Sequence, residues 1–167
     1  MDVTMRAASS EDARTISGIL AESWKKAYVG MVPQEYLDGL DENHSAERMR
    51  NELSSGRLNV FLLFEDDVPV GAVGYGKSRD DKLPDWGEIQ FIYLRPGFCR
   101  RGYGERLLRT AVDALRRLGF EDCFLWVLKE NKNARDFYTS NGFRATDDVT
   151  HSEIMGKQLT EVRYCFP

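Results

Sequence analysis

The sequence is poor in the residues that build metal centres and disulfide scaffolds. Its three cysteines, Cys99, Cys123 and Cys165, are odd in number and scattered, with no Cys-x-x-Cys, and its two histidines, His44 and His151, are far apart. That argues against a disulfide framework or structural zinc and predicts a metal-free protein of a reducing compartment, by default the cytoplasm. No apolar run approaches the ~20 residues that span a bilayer. Met1-Asp2-Val3-Thr4 lacks the basic and apolar parts of a secretory signal. Internal repeats, low-complexity tracts and linkers are also missing, so the 167 residues are expected to form one domain, 1–167, with a substantial core. The formal net charge of −4 leaves no basic excess for non-specific nucleic-acid binding and is compatible with a cationic substrate.

What is present is concentrated between Trp86 and Leu118. Ile89 to Leu94 is β-branched, aromatic and apolar, which predicts a strand, and Pro96-Gly97 stops it. From Gly104 onward, Leu107, Leu108, Ala111, Val112, Leu115 and Leu118 recur on one helical face, and Gly119 stands at the expected stop. Between strand and helix lies Arg100-Arg101-Gly102-Tyr103-Gly104. Two glycines let the backbone turn tightly, a helix N-terminus supplies free N–H groups, and two arginines add charge. This pattern predicts an anion site, most simply for a phosphate or pyrophosphate. A plain glycine turn with solvated arginines is the alternative. The dinucleotide fingerprint fails because Leu107 stands where its third glycine belongs, and no Gly-Lys-Ser/Thr completes a P-loop.

The rest of the chain alternates helix and strand signals. Val3 to Ala7 is a short strand, and Ser9 or Ser10 caps a helix with Ile16, Ile19, Leu20, Trp24, Ala27 and Tyr28 on its inner face. Short helices follow from Pro33 to Leu40 and from Ser45 to Leu53. Asn59 to Phe64 and Val68 to Lys77 form a hairpin across Glu65-Asp66-Asp67. Cys123 to Leu128 is a buried strand, Asn131 to Ser140 a short helix, and Phe143 to Ala145 and Leu159 to Phe166 are strands joined by a polar connection containing His151. The expected fold is α/β: a mixed sheet, part antiparallel meander and part parallel crossover, with helices on both faces.

Two segments carry a resemblance. Arg101-Gly102-Tyr103-Gly104, after a strand ending in x-Pro and before an amphipathic helix, resembles the acyl-CoA-binding motif Gln/Arg-x-x-Gly-x-Gly/Ala of the GNAT N-acetyltransferase superfamily, with Cys99 in place of the first Gln or Arg. Asn131-x-x-Ala134, Tyr138 and Gly142-Phe143 are similar to that family's second signature, and Val68-Pro69-Val70-Gly71 resembles its hairpin. Together, in this order, the motifs cover most of the chain and imply the GNAT fold with acetyl-CoA as cosubstrate.

Acetyl transfer from a thioester to an amine needs a held donor, a deprotonated amine, a hydrogen-bond donor for the oxyanion and a proton for the thiolate. An alkylammonium, with pKa near ~10, has no lone pair until it loses its proton. The resemblance implies that Arg100, Arg101, Gly102, Tyr103, Gly104 and Glu105 hold the CoA pyrophosphate. It implies further that the pantetheine arm lies beside Ile92, Tyr93 and Leu94, with Asn131 and Ala134 on its other side. The Leu94 N–H is then the oxyanion donor and Tyr138 the acid toward sulfur. Glu88 matches a base found in some family members; otherwise it is a strand-end glutamate. Tyr138 is otherwise a core tyrosine, and Asn131 otherwise a cap. Trp24, Tyr28 and Tyr36 are candidates for an aromatic wall suited to a cationic amine, small-molecule or peptide. Dimers are common in the family, so a homodimer is compatible with this reading. Two other readings stand beside the enzyme: a non-catalytic CoA-binding regulatory module on the same fold, and a nucleotide-binding domain using the glycine loop.

Overall fold

A computed structural model describes residues 1–167. In chain order it contains β1 (Val3–Ala7), a 3-10 turn (Ser10–Asp12), α1 (Ala13–Ala27), α2 (Gln34–Asp38), α3 (Ala46–Ser55), β2 (Asn59–Glu65), β3 (Val68–Lys77), β4 (Gly87–Leu94), α4 (Tyr103–Arg117), β5 (Cys123–Leu128), α5 (Lys132–Ser140), β6 (Arg144–Ile154) and β7 (Lys157–Phe166). The strands form one seven-stranded sheet of order β1-β2-β3-β4-β5-β7-β6. Every neighbouring pair is antiparallel except β4 and β5, the two joined through α4.

Local chemistry explains the elements. Ser9 and Asp12 close a capping box, the Ser9 N–H donating to Asp12 Oδ2 at 2.8 Å, and this starts the run into α1. The β2–β3 turn places Asp66 and Asp67 at φ 49° and 67°, a two-residue turn that aspartate tolerates. Gly56 ends α3 at φ 79°. The buried stripe of α4, Leu107, Leu108, Ala111, Val112 and Leu115, packs on β3 and β4 together with Val70, Val73 and Ile89. The opposite face of the sheet receives α1 and α3, with Ile16, Ile19, Leu20 and Met49 against Val60, Leu62 and Ala72. A third cluster joins α1 and α2 to the far half of the sheet through Ala21, Leu37, Leu40, Leu128 and Leu159.

One expectation about the fold fails. The polar stretch around His151 is not a connection: it belongs to β6, which pairs with β7 down to the Ile154–Lys157 hairpin. The strand lies at the sheet edge and is exposed along most of its length. It therefore carries polar residues on both faces and lacks the alternation that marks a half-buried strand.

The sheet opens in its middle. β4 and β5 are in register only at Gly87–Cys123 and Glu88–Phe124. Gly87 sits at that junction because a Cβ there would lie 2.8 Å from Leu115 Cδ2 of α4. Past Glu88, β4 carries a bulge against β3: Tyr75 faces Ile89 and Gly74 faces Phe91, leaving Gln90 as the extra residue. The bulge switches the faces. Ile89 packs toward α4, yet Phe91 and Tyr93 pack toward α1 and α3, while Ile92 and Leu94 return to the α4 side.

Candidate active site

The opening between β4 and β5 exposes main chain. Arg95 N–H donates to Val70 O at 2.9 Å, so alternation turns the Phe91 and Tyr93 amides to β3 and those of Ile92 and Leu94 into the gap. No β5 residue pairs with them. Ile92, Tyr93 and Leu94 are accordingly only half-buried, although they lie in a central strand.

At the C-terminal end of this gap the chain turns into α4. Gly97, Arg100 and Gly102 adopt φ of 91°, 62° and 81°, which folds the loop back on itself. From Cys99 through Glu105, no amide N–H finds an acceptor within the protein; the first to do so is Arg106, which donates to Gly102 O at 3.1 Å. Gly102, at the N-cap of α4, has no side chain to take those donors. The result is seven consecutive free amides leading into the positive end of a 15-residue helix, an arrangement able to hold an anion.

The side chains of this loop do less than the sequence suggests. Arg101 is ion-paired to Glu65 at 3.0 Å, and the Tyr103 hydroxyl donates to the same carboxylate, with its ring in the core. Glu105 pairs with Arg109 at 2.6 Å. Arg100 and Cys99 are exposed, and Arg100 makes no ion pair. Gly104 lets α4 approach α5: a Cβ there would lie 3.2 Å from Phe137 Cζ.

On the α5 side, Asn131 Oδ1 accepts the Ala134 N–H at 3.2 Å, so Asn131 is the helix cap and Ala134 N–H is its donor. The Asn131 side-chain amide nitrogen makes no hydrogen bond within the protein and is left for another partner. Tyr138 is half-buried against Phe137, Phe143 and Tyr164, at ring separations of 5.4, 6.0 and 6.2 Å. Its hydroxyl makes no hydrogen bond within the protein. Burial, and secondarily Tyr93, holds the phenol well above its usual pKa, so it stays protonated.

On the α1 side stand the three aromatic candidates. Trp24 meets Tyr28 edge-on at 4.8 Å and Tyr36 at 6.2 Å, and all three are half-buried. Burial pushes the Tyr28 hydroxyl up, with further contributions from Tyr93, Tyr138 and Glu161. Tyr93 is likewise raised by burial, while the Trp24 indole N–H acts on it in the opposite sense. That indole nitrogen is buried and has no acceptor in hydrogen-bonding geometry, as is Gln90 Nε2 beside the bulge. Tyr28 and Tyr93 thus pack on one face of the sheet and Tyr138 on the other.

Glu88 is not available in the way the sequence suggests. It is 2% exposed and closed on by Arg79, whose backbone N and Nε reach Oε1 at 3.0 and 3.1 Å and whose Nη2 reaches Oε2 at 2.7 Å. Both carboxylate oxygens of Glu88 are therefore already engaged by Arg79 donors.

The carboxylate that sequence reasoning misses is Glu161. It lies on β7 opposite Leu128, on the same face as Leu159, and makes neither ion pair nor hydrogen bond. Burial raises its pKa, Arg79 lowers it and Glu88 raises it further. The only sequence signal is a glutamate at an inward position of a strand whose alternate residues, Leu159 and Arg163, are buried. Across the molecule no three His, Cys, Asp or Glu side chains converge on a point, and no helix is long and apolar enough to cross a membrane.

Comparison with known proteins agrees with this geometry. The model of the acetyltransferase (GNAT) family matches residues 20–143. The chain is 28% identical over 163 residues to a spermidine N(1)-acetyltransferase of Thermoplasma acidophilum, covering 95% of this chain and 98% of that one. It is 28% identical over 166 residues to the uncharacterized N-acetyltransferase YuaI of Bacillus subtilis, covering 99% and 93%. The crystal structure of PaiA N-acetyltransferase from T. acidophilum in complex with coenzyme A superposes with a TM-score of 0.77 at 26% identity, over 96% of this chain and 98% of that one. The chain belongs to the acetyltransferase (GNAT) family and is an N-acetyltransferase.

Proposed function

We propose that this protein, as one domain of 167 residues acting in the cytoplasm, acetylates a primary amine of the small polyamine class by direct attack on acetyl-CoA. The observation that carries the reading is the run of seven free amides at residues 99 to 105, which follows the end of β4 where its pairing with β5 has already stopped. Those amides, with Arg100, hold the pyrophosphate, and the inward main chain of Ile92 and Leu94 lines the pantetheine arm. The polyamine class rests on the T. acidophilum relative named for spermidine and on the aromatic wall of Trp24, Tyr28 and Tyr36.

The roles follow from what each group has free. Glu161, with no partner and a raised pKa, takes the proton from the ammonium, the role the sequence suggests for Glu88. The amine nitrogen then attacks the thioester carbonyl carbon, the C–S bond breaks, and the proton left over on the new amide nitrogen passes to solvent. The Leu94 N–H steadies the carbonyl oxygen. Tyr138 gives its proton to the departing sulfur, and solvent restores both residues. No cysteine serves as an acyl carrier: Cys123 and Cys165 are buried, the Cys123 thiol pushed up to about 12 by burial, and Cys99 lies exposed on the loop. That favours direct attack over a covalent relay.

Thiol release from acetyl-CoA, followed with spermidine, putrescine, simple monoamines and a peptide amine, tests the reading. Turnover is expected with the polyamines. Tight CoA binding with turnover of none of these amines would replace this account by a regulatory one.

A further inference from the structure

Arg163 is the most buried cation in the protein and the acetyl-transfer chemistry does not touch it. It is 3% exposed, on β7 two residues past Glu161. Its guanidinium lies over the Phe124 and Trp126 rings at 4.7 and 4.4 Å. Nε bonds Asp148 Oδ2 at 3.0 Å and Nη2 bonds Asp80 Oδ2 at 2.7 Å, while Nη1 is buried without a partner. Asp148 belongs to β6, but Asp80 belongs to the β3–β4 loop and directly follows Arg79. That loop is otherwise closed by the Ser78 N–H to Trp86 O at 2.9 Å and the Lys82 N–H to Asp80 Oδ1 at 2.9 Å. Two consecutive loop residues are therefore tied down, Arg79 to Glu88 on β4 and Asp80 to Arg163 on β7.

We propose that Arg163 is a positioning residue for acyl transfer: through Asp80 it fixes the loop that carries Arg79, and so holds the Arg79–Glu88 pair beside Glu161. The inference rests on the reading of Glu161 as the base. The charged groups that act on Glu161 are Arg79 from the loop, which lowers its pKa, and Glu88 from β4, which raises it; Tyr93 of β4 and Tyr28 at the end of α1 are phenols on which the Glu161 charge acts. Arg79 is the only cation among them. A loosened loop moves that cation away and leaves Glu161 with its burial and Glu88, both of which make it hold its proton to higher pH.

The experiment compares Asp80→Asn, Arg163→Lys and, as a control, Asp148→Asn, in the full chain with spermidine as acceptor. Asp80 and Asp148 are both on the surface side of Arg163, with side chains 22% and 60% exposed, so the two Asn variants fold. Asp80→Asn and Arg163→Lys are expected to raise KM for the amine about fivefold, the effect of about one hydrogen bond. They are also expected to shift the acid limb of kcat/KM to higher pH and to leave the Kd for CoA unchanged. Asp148→Asn lowers Tm without moving the limb. If Asp80→Asn keeps wild-type KM and acid limb, or if Asp148→Asn moves them equally, Arg163 is only a structural cation and the proposal falls. Failure of the wild type to acetylate any amine would instead overturn the reading of the site, a separate result.

Discussion

The Arg79 guanidinium closes on Glu88, Nη2 to Oε2 at 2.7 Å and Nε to Oε1 at 3.1 Å, while Glu161 on the same side of the sheet has no partner at all. Of the two carboxylates, one is spent and one is held in reserve. Removing each should therefore have opposite signatures.

Glu161→Gln is expected to lower kcat/KM at pH 7 by about 10²-fold, the scale of a lost general base, and to abolish the acid limb of the profile. A carboxyl whose folded pKa lies above its unfolded value contributes stability at low pH that is lost as pH rises through the folded value. At neutral pH the buried charge is a penalty, so Glu161→Gln should leave Tm at pH 7.5 unchanged or higher. Glu88→Gln should do the reverse: Tm falls, by the effect of about 1–2 kcal/mol for a pair whose Arg79 side is exposed, and the acid limb persists. Matched pH–rate profiles and thermal melts of the two variants check this. A normal profile in Glu161→Gln would return the search for the base to other groups.

Tyr138→Phe keeps the ring packing against Phe137, Phe143 and Tyr164 and deletes a hydroxyl with no internal hydrogen bond. Stability should hardly change. Turnover should fall roughly 10–100-fold with the Kd for acetyl-CoA nearly constant, because a proton donor to the leaving sulfur acts in the chemical step. Calorimetric binding beside steady-state kinetics separates the two quantities. Unchanged turnover would make Tyr138 a wall of the cleft and no more.

Much of this is legible in the sequence, for identifiable reasons. The loop and α4 are readable because glycines at forced turns and a 3.6-residue apolar stripe are local signals, and both survive in the structure. The parallel pairing of β4 with β5 is readable from the strand–helix–strand connection between them. Three things are not readable. The β4 bulge at Gln90 depends on pairing with β3 and flips the face of every later side chain, so alternation read from Glu88 misleads beyond it. Glu88 looks free in sequence because Arg79, its partner, lies across a loop nine residues earlier. Glu161 looks like one more polar residue because its partial burial depends on the pairing of β7 with β5, which the local sequence does not spell out.

Asp12 offers a stability test far from the site. Its pKa is lowered first by the hydrogen bond from Arg6, at 2.9 Å, and also by the Ser9 N–H. A depressed carboxylate contributes stability that is fully present above the unfolded pKa and lost as pH falls through the folded one. The loss should therefore appear below about pH 4. Asp12→Asn removes the ion pair but keeps an oxygen able to accept the Ser9 N–H, an effect of ~1 kcal/mol or about 2–4 °C in Tm at pH 7 for a chain of this size. Wild type and variant melts should converge as pH falls toward 3. A constant gap across that range would show that the charge of Asp12 is not what stabilises the turn.

The claim that main chain rather than side chain holds the anion separates cleanly at the loop. Arg101 is already engaged by Glu65, so Arg101→Ala should change the Kd for CoA by less than about twofold, the weak effect of a surface charge. Gly102 sits at φ 81°, and a methyl added there would meet nothing within 4 Å, so Gly102→Ala acts only through backbone conformation. A left-handed alanine costs about 1–2 kcal/mol, and relief of that strain turns the free amides of residues 99 to 105 out of convergence. The Kd should rise about tenfold. Gly97→Ala is the matched control: φ is 91° and the space is equally open, but it lies before the free amides begin. It should lose similar stability and much less affinity. Calorimetric titration of CoA into all three variants reads this directly, and an Arg101→Ala defect larger than that of Gly102→Ala would move the anion from the amides to the arginine.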